Sequence, residues 1–233
     1  MQDRALLLAI DTCGPSGSVA LGCAAGAGLE ILGQAELAGR TYSATLVAAV
    51  GELLRQAGTQ VGLLHAIVAV NGPGSFTGIR VGLSAVKGLA EGNQIPVVAV
   101  SRLEVMAAAS GVPCAALDAQ RHEIFLRLAS ATGATRELLA GAAELASIPP
   151  PPRVAYCDES AAQLLKSAWP ATELVKVPPP TAADALIFAV ARVDAGEFVD
   201  LALLDGHYLR RSDAEIFGND VAAQAAVSGS KGE

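Results

Sequence analysis

Two aspartates, Asp11 and Asp118, each follow a short apolar run, and carboxylates in that position could hold a magnesium ion through bound water. The runs (LLLAI before Asp11 and PCAAL before Asp118) have the composition of buried strands. A magnesium ion held there would face a nucleotide bound between two lobes, which is the chemistry of an ATP-dependent phosphotransferase. The other interpretation is that each carboxylate only caps its own turn. The residues alone leave both interpretations open.

A glycine-rich segment, residues 71–80 (NGPGSFTGIR), lies between a predicted strand and a predicted helix. Its glycines allow the backbone to approach a neighbour closely, and Ser75 or Thr77 could cap the helix, whose free N–H groups favour an anion. The spacing of a P-loop is absent, however, and the next lysine is Lys87. A tight turn before a packed helix is therefore favoured over a phosphate site. The candidate residues for weak nucleotide or phosphate binding are Asp11, Thr12, Gly74, Ser75 and Asp118.

The remaining reactive side chains form no recognisable catalytic or metal-binding motif. The three histidines (His65, His122 and His207) are far apart, the four cysteines include no Cys-x-x-Cys pair, and no Gly-x-Ser-x-Gly turn is present. These absences predict no metal site and no catalytic residue. Cys13, in a glycine-rich turn, is best explained as a buried thiol, and scattered reduced cysteines suit a cytoplasmic protein.

The composition excludes several classes of protein. With 16 basic and 23 acidic residues the net charge is −7, whereas a protein that grips nucleic acid by itself is usually basic. Hydrophobic residues make up 52% of the chain and charged residues only 17%, which excludes extensive disorder. No apolar run approaches the roughly 18 residues of a membrane span, and the N-terminus does not resemble a signal peptide. We therefore expect a cytoplasmic protein that makes no membrane contact.

The elements that must position these residues alternate in a regular order. In the first half, the hydrophobic pattern predicts three strands, followed by a helix, a strand, a helix, a strand and a helix. Their expected bounds, in that order, are 5–11, 16–23, 29–37, 43–57, 65–71, 75–91, 95–100 and 101–110. The order βββαβαβα predicts a mixed α/β sheet with helices on its faces.

The second half repeats this order. Strands are predicted at 113–119, 122–129, 135–139, 153–157 and 172–177, and helices at 142–147, 159–168 and 181–196. Asp118 ends the first strand of this half as Asp11 ends that of the first half, 107 residues earlier. A repeat of this length indicates a duplicated domain rather than a solenoid. We therefore divide the chain into an N-terminal lobe (1–110), a C-terminal lobe (111–220) and a flexible tail (221–233).

The helix predicted over 75–91 has an unusually wide non-polar surface. At about 100° per residue, its glycine and alanine positions share one narrow face, beside a second apolar face. Small residues on one face permit close helix–helix approach. Either the helix over 43–57 covers this face or a partner protein does, and both arrangements can hold together. The candidate interface comprises Leu46, Val50, Leu53, Gly78, Gly82, Ala85 and Leu89.

Five segments of the chain, taken in order, resemble the TsaB (YeaZ) family. They are residues 8–12 (LAIDT), 18–21 (SVAL), 72–82 (GPGSFTGIRVG), 116–119 (ALDA) and 208–210 (YLR). The GPGSFTGIRVG block is the specific signature, and the resemblance extends over nearly the whole chain. It implies the fold of the actin-like ATPase superfamily, with two ribonuclease-H-like lobes, in agreement with the duplication.

The resemblance also implies a role in forming N6-threonylcarbamoyladenosine, the modified base next to the anticodon of tRNAs that read codons beginning with A. In that family's pathway a TsaD-type enzyme transfers the threonylcarbamoyl group to tRNA. Members of the TsaB family are non-catalytic partners that support this enzyme, and the TsaE-type ATPase joins the complex. The implied partners are therefore a TsaD-type transferase, a TsaE-type ATPase and, through the complex, tRNA.

Two departures from the catalytic relatives agree with a non-catalytic role. TsaD-type relatives carry a metal-binding His-x-x-x-His on their first helix, and the matching residues 40–46 (RTYSATL) contain no histidine. The superfamily's Gly-Gly adenosine motif should follow the strand at 153–157, but residues 155–159 read AYCDE. We therefore expect no resident cofactor, although nucleotide could bind weakly at the lobe junction or at the partner interface.

The resemblance also suggests how the chain meets its partner. Family heterodimers form through helices of the N-terminal lobe, which suits the wide apolar surface of the helix over 75–91, and an isolated chain could cover the same surface by forming a homodimer. Two alternatives remain. One is an ATP-dependent phosphotransferase or ATPase that uses Asp11 and Asp118, and the other is a metallopeptidase, which would need bound metal.

Overall fold

Two five-stranded sheets, one in each half of the chain, form the framework of the structure. The computed structural model describes residues 5–25, 28–39, 41–130 and 132–210, and the tail expected over 221–233 lies outside these residues. The first sheet contains β1 (Ala5–Asp11), β2 (Gly17–Ala25), β3 (Gly28–Leu37), β4 (Ala66–Val70) and β5 (Val97–Val100). Their order is β3-β2-β1-β4-β5, and β1 is antiparallel to β2 and parallel to β4.

The second sheet repeats this topology. It contains β6 (Ala115–Asp118), β7 (Ile124–Ala129), β8 (Thr135–Ala140), β9 (Arg153–Tyr156) and β10 (Glu173–Lys176), in the order β10-β9-β6-β7-β8. In each half the first strand therefore lies at the centre of its sheet, between its antiparallel hairpin partner and a parallel strand.

Within the described ranges, each half of the sequence contributes three α-helices. They are α1 (Tyr42–Gln56), α2 (Phe76–Asn93) and α3 (Arg102–Ser110) in the first, and α4 (Ala142–Ser147), α5 (Glu159–Ala168) and α6 (Ala182–Asp194) in the second. Each half thus has the order βββαβαβα, which confirms the predicted pair of ribonuclease-H-like lobes. A short 3₁₀ turn at Val61–Leu63, before β4, was not predicted. Among the described residues, no helix has the length and apolar character that crossing a membrane requires.

Side-chain caps explain why several helices begin where they do. Ser75 accepts a hydrogen bond from the Gly78 N–H at the start of α2, and Ser101 forms a capping box with Glu104 at the start of α3. Asp158 caps α5 in the same way. These caps follow directly from the residue types, which is why the sequence predicted these helix starts to within one residue.

Helix α6 packs on the first sheet although it follows the second sheet in the chain. Its small residues Ala182, Ala185 and Ala189 are fully buried in the core of the first lobe, together with Leu186. Alanines let the helix axis approach the sheet closely. α6 therefore belongs to the core of the first lobe, whereas the division by sequence assigned residues 111–220 to the second lobe.

Helix α3 lies between the two sheets and joins the two cores. Leu103 and Met106 are buried and pack against Leu117 and Phe125 of the second lobe. The same helix contacts α6, which lies on the first sheet. Any change in the angle between the lobes must therefore move or repack α3.

One face of α2 packs on the backbone that follows β1. A Cβ atom on Gly78 would lie 2.1 Å from the Thr12 carbonyl oxygen, and one on Gly82 would lie 2.2 Å from Thr12 Oγ1. Thr12 Oγ1 in turn donates a hydrogen bond to the Gly78 carbonyl oxygen at 2.7 Å. The sequence analysis assigned the cover of this glycine face to the helix over 43–57 or to a partner. The turn after β1 covers Gly78 and Gly82, whereas Ala85 and Leu89 further along the face are half-buried at the surface, where cover by a partner stays a prediction.

The same substitution at two positions of α2 should change stability in opposite directions. Gly82→Ala should lower the free energy of unfolding by about 1–3 kcal/mol, because the new methyl group has no room beside the hydrogen-bonded Thr12 side chain. Gly88→Ala should raise it by about 0.5–1 kcal/mol, because alanine is the better helix former and this position meets nothing within 4 Å. Urea denaturation of both variants measures the two effects, and a gain of stability at Gly82 would contradict the packing described.

Candidate functional site

A cleft of about 1080 Å³ opens between the two lobes, at the carboxyl ends of β1 and β6. Its first-lobe wall is formed by the turn after β1 and by the glycine-rich segment before α2. Its second-lobe wall is formed by the turn between β6 and β7, and residues 207–210 complete the lining. All five candidate nucleotide or phosphate residues lie in or directly beside this cleft, as their strand-end positions predict.

Asp11 is almost completely buried, and both of its carboxylate oxygens are engaged within the protein. Its Oδ1 accepts a hydrogen bond from the Cys13 N–H at 2.8 Å, and its Oδ2 accepts one from Nε of Arg102 at 3.1 Å. The side chains of Asp11 and Arg102 are only 3% and 7% exposed. A carboxylate that is buried and neutralised in this way does not fit the coordination of a magnesium ion, which would need free oxygens facing the cleft.

Arg102 is the first residue of α3, so the ion pair joins the end of β1 to the start of the helix between the lobes. The Arg102 N–H donates to the Gly72 carbonyl oxygen at 2.6 Å, which fixes the backbone at the same point. Burial disfavours the charged guanidinium and so acts to lower the pKa of Arg102. The negative charge of the adjacent Asp11 outweighs this effect of burial, and the pKa of Arg102 is raised. The arginine was not identified by sequence analysis, because it is separated from Asp11 by 91 residues.

The nucleophilic side chains near this ion pair are held in their neutral forms. Burial, reinforced by the charge of Asp11, raises the pKa of the Cys13 thiol well above its usual value. Burial and Asp11 likewise raise the pKa of Tyr42 to about 12, and burial and Asp158 raise the pKa of Cys157 to about 11. None of these groups is activated for nucleophilic attack at neutral pH.

Asp118, across the cleft, stabilises its own turn. Its Oδ1 accepts a hydrogen bond from the Gln120 N–H at 3.1 Å, and its other oxygen contacts the Gln120 side-chain amide. The Asp118 N–H donates to Asp158, whose other oxygen caps α5. In the part of the chain that the structure describes, no three His, Cys, Asp or Glu side chains are grouped so that they could hold a metal ion.

The glycine-rich segment packs against the turn after β1 through three of the candidate residues, Thr12, Gly74 and Ser75. The Ser75 N–H donates to the Cys13 carbonyl oxygen at 2.8 Å. Gly74 has a positive φ of 158°, and a Cβ atom there would lie 2.2 Å from the same carbonyl oxygen. The backbone of this segment is therefore used for close packing, which is the tight-turn interpretation of the sequence. Phosphate binding by these residues stays a prediction.

A second feature, a groove of about 620 Å³, lies between α1 and α2 on the outer surface of the first lobe. Val47 of α1 is 62% exposed there, and Phe76 at the start of α2 is 37% exposed. The guanidinium of Arg80 stacks over the Phe76 ring, 3.8 Å from its centroid. Val81 and Ala85 are half-buried in the wall of the groove. We call this surface the helix groove.

The structure separates the candidate interface residues into two groups. Five of them are buried inside the first lobe, namely Leu46, Val50, Leu53, Gly78 and Gly82, although Leu46 also contributes to the floor of the helix groove. Ala85 and Leu89 are half-buried at the surface. Sequence analysis missed Val47, Phe76 and Arg80, which are the more accessible parts of the groove. The sequence did offer one signal for this surface, because Val47 is an apolar residue at an exposed position of α1.

Comparisons with known proteins agree with the resemblance. A family model described as TsaD, tRNA N6-adenosine threonylcarbamoyltransferase, matches residues 34–152, just over half of the chain. A Haemophilus influenzae relative named tRNA threonylcarbamoyladenosine biosynthesis protein TsaB is 37% identical over 96 residues, which cover 39% of this chain and 41% of that protein. The Escherichia coli protein of the same name is 34% identical over 126 residues, which cover 51% of this chain and 52% of that protein.

The chain therefore matches about two fifths to one half of the length of these curated relatives. A solved structure extends the likeness to the whole fold. It is an uncharacterised Pseudomonas aeruginosa protein described as similar to the peptidase YeaZ, with a TM-score of 0.69 and 26% sequence identity. The superposition covers 88% of this chain and 100% of that one.

Removing one partner of the buried ion pair should be costly, and removing both should be tolerated. Arg102→Met should lower the free energy of unfolding by roughly 3–5 kcal/mol, because it leaves Asp11 buried without a counter-charge. Adding Asp11→Asn should recover most of this loss, because the amide oxygen can still accept the bond from the Cys13 N–H. Urea denaturation of the single and double variants measures both effects.

Arg55→Met is the matched control, because Arg55 pairs with Glu52 on the solvent-exposed side of α1. We expect little change in stability from this variant. If Arg102→Met were no more destabilising than Arg55→Met, the assignment of a structural role to the buried pair would be wrong.

Proposed function

Because the chain belongs to the TsaD family of tRNA N6-adenosine threonylcarbamoyltransferases, in its TsaB (YeaZ) branch, we propose that it is the non-catalytic partner of a TsaD-type transferase. The complex would form N6-threonylcarbamoyladenosine next to the anticodon of tRNAs that read codons beginning with A. A TsaE-type ATPase would join the complex, and tRNA would be bound through the complex rather than by this acidic chain alone. The setting would be the cytoplasm.

The observation that carries the partner role is the helix groove. It is an apolar surface with Val47 and Phe76 accessible, on the outer face of two helices that are otherwise packed into the first lobe. A specific interface of standard size buries about 800 Å² on each partner, and two helices presented side by side offer a surface of that kind. In the absence of the transferase, a second copy of the chain could occupy the same surface.

The inter-lobe cleft supports the non-catalytic part of the proposal. The carboxylate best placed to bind magnesium, Asp11, is already paired with Arg102, and the nearby thiols and the Tyr42 hydroxyl are held neutral. Phosphotransfer by this cleft would require the ion pair to separate in a buried environment, which is energetically unfavourable. Weak nucleotide binding and the lack of a resident cofactor both stay predictions.

A charge placed in the helix groove should weaken the complex with the transferase. Val47→Glu should raise the dissociation constant for the cognate TsaD-type protein by roughly 30-fold, equivalent to about 2 kcal/mol, because a carboxylate would be buried without a partner. Calorimetry measures the affinity, and a threonylcarbamoylation assay with and without the chain measures the consequence. The variant should support less modification than the wild type at equal, sub-saturating concentration.

Ile187→Glu is the matched control, because Ile187 is 59% exposed on α6, outside the helix groove. It should leave both the affinity and the assay unchanged. Unaltered binding by Val47→Glu would refute the groove as the docking surface. Gly82→Leu is unsuitable for this test, because it would disturb the contact with Thr12 inside the chain.

The phosphotransferase alternative makes a different prediction, which calorimetry can separate from ours. We expect no micromolar binding of ATP and magnesium to the isolated chain. Micromolar binding that is abolished by Asp11→Asn in a folded variant would instead support an ATP-dependent enzyme. Circular dichroism of the variant confirms that the loss is not caused by unfolding.

A further inference from the structure

Residues 205–210, which we call the strap, lie across the cleft and contact both lobes. On the first-lobe side, the His207 N–H donates to the Asn71 carbonyl oxygen at 2.7 Å. The Tyr208 ring packs on Phe76, with the two ring centroids 5.1 Å apart. Because Phe76 lines the helix groove, the strap supports one end of the proposed docking surface.

The other strap side chains contact the second lobe. Nε2 of His207 lies 2.9 Å from Oε2 of Glu137 on β8, Leu209 packs against the second-lobe cluster that contains Leu117 and Phe125, and Arg210 pairs with Glu123. Tyr208 therefore contacts the first lobe, whereas the side chains of His207 and Leu209 on either side of it contact the second. A segment attached in this way resists any change in the angle between the lobes.

The His207–Glu137 contact lies in a group of charges contributed by several elements. Glu137 also accepts hydrogen bonds from Ser101 at 2.7 Å and from Arg127 of β7 at 3.0 Å. Glu104 of α3 faces the same group and pairs with Arg127 and with Arg192 of α6. The strap itself carries Asp205 and Arg210. Glu137 and Glu104 are balanced by the two arginines of β7 and α6, so protonation of His207 adds one positive charge directly beside Glu137.

The hydrogen bond to Glu137 raises the pKa of His207 above its usual 6.5, against the opposing effect of burial. Burial works to raise the pKa of Glu137, but its bonds from His207, Ser101 and Arg127 outweigh burial and lower it. A raised histidine pKa means that the contact stabilises the folded strap fully below about pH 6.5, and that this contribution is lost as the pH rises through the raised value. Glu137 titrates well below this range.

We propose that the strap is a pH-responsive latch between the lobes, closed by the charged His207–Glu137 contact and coupled to the helix groove through the stacking of Tyr208 on Phe76. When His207 is neutral, its contact with Glu137 is no longer an ion pair, so one of the two charged contacts between the strap and the second lobe is weakened. Tyr208 is then held less firmly against Phe76, and the end of the groove is less ordered. The coupling to partner binding rests on the function proposed above, whereas the latch itself does not.

The latch is tested on the isolated full-length chain by hydrogen exchange of the strap amides, corrected for the intrinsic exchange rate at each pH. In the wild type, protection should be at least about five-fold greater near pH 6 than near pH 9. In His207→Gln and in Glu137→Gln this ratio should fall to about one, because neither variant can form the charged contact. A ratio in His207→Gln equal to that of the wild type would overturn the latch.

The coupling is tested by the affinity for the cognate TsaD-type protein over the same pH range. The wild type should bind several-fold more weakly near pH 9 than near pH 6, and the affinity of His207→Gln should vary less with pH. The coupling would be overturned by one combination of results. The exchange experiment would show a strap that responds to pH, but the affinities of the wild type and of His207→Gln would depend on pH in the same way. If the transferase does not bind at any pH, the proposed function fails, and the exchange experiment alone decides whether the latch exists.

Discussion

The buried ion pair between Asp11 and Arg102 is the interaction on which the arrangement of the two lobes depends. A carboxylate at the end of a central strand must be neutralised if it is buried, either by a ligand or by the protein. Here the counter-charge comes from the first residue of α3, the helix whose Leu103 and Met106 pack into the second lobe. The carboxyl end of β1 is a place where a two-lobe fold could hold a metal–nucleotide complex. Here the carboxylate at that place instead helps to attach the two lobes to each other. The ion pair therefore fixes the shape of this end of the cleft through contacts within the protein.

A second constraint is the close packing of α2 on Thr12, which determines which surface of α2 remains available to the proposed partner. Gly78 and Gly82 allow α2 to lie directly on Thr12, so the small-residue face of the helix is consumed inside the lobe. The helix has a wider non-polar arc than internal packing needs, and the remainder of that arc forms one wall of the helix groove. The non-polar surface of α2 is therefore wide because it has two parts, one packed inside the lobe and one facing solvent. Phe76 belongs to the part of α2 that faces solvent, and Val47 of α1 is also exposed in the groove.

The sequence predicted nearly all the strands and helices because their signals are local. Apolar periodicity, capping residues such as Ser75 and Ser101, and glycine-rich turns act within a few residues of the elements that they define. The contacts that form the candidate site are not local. Arg102 is 91 residues from Asp11, and α6 enters the core of the first lobe although it follows the second sheet. A helical face can be identified as apolar from its spacing, but what covers it depends on elements that are distant in the chain. For that reason the candidate interface included residues on the buried side of α2, such as Gly78 and Gly82, and the role of this surface as an interface stays a prediction.

A two-lobe framework has two properties that a bound protein could sense, its outer surface and the motion of its lobes. The strap joins these two properties, since Tyr208 contacts Phe76 in the helix groove while His207 contacts Glu137 in the second lobe. Glu137 is in turn bonded to Ser101, the residue before Arg102. A short chain of direct contacts therefore runs from the ion pair in the cleft to the helix groove. If the lobes rotate, either this chain of contacts breaks or Phe76 moves with the lobes. A protein bound on α1 and α2, as proposed above, would then respond to the angle between the lobes. Under the function proposed above, that consequence would give a physical reason for the chain to retain both lobes.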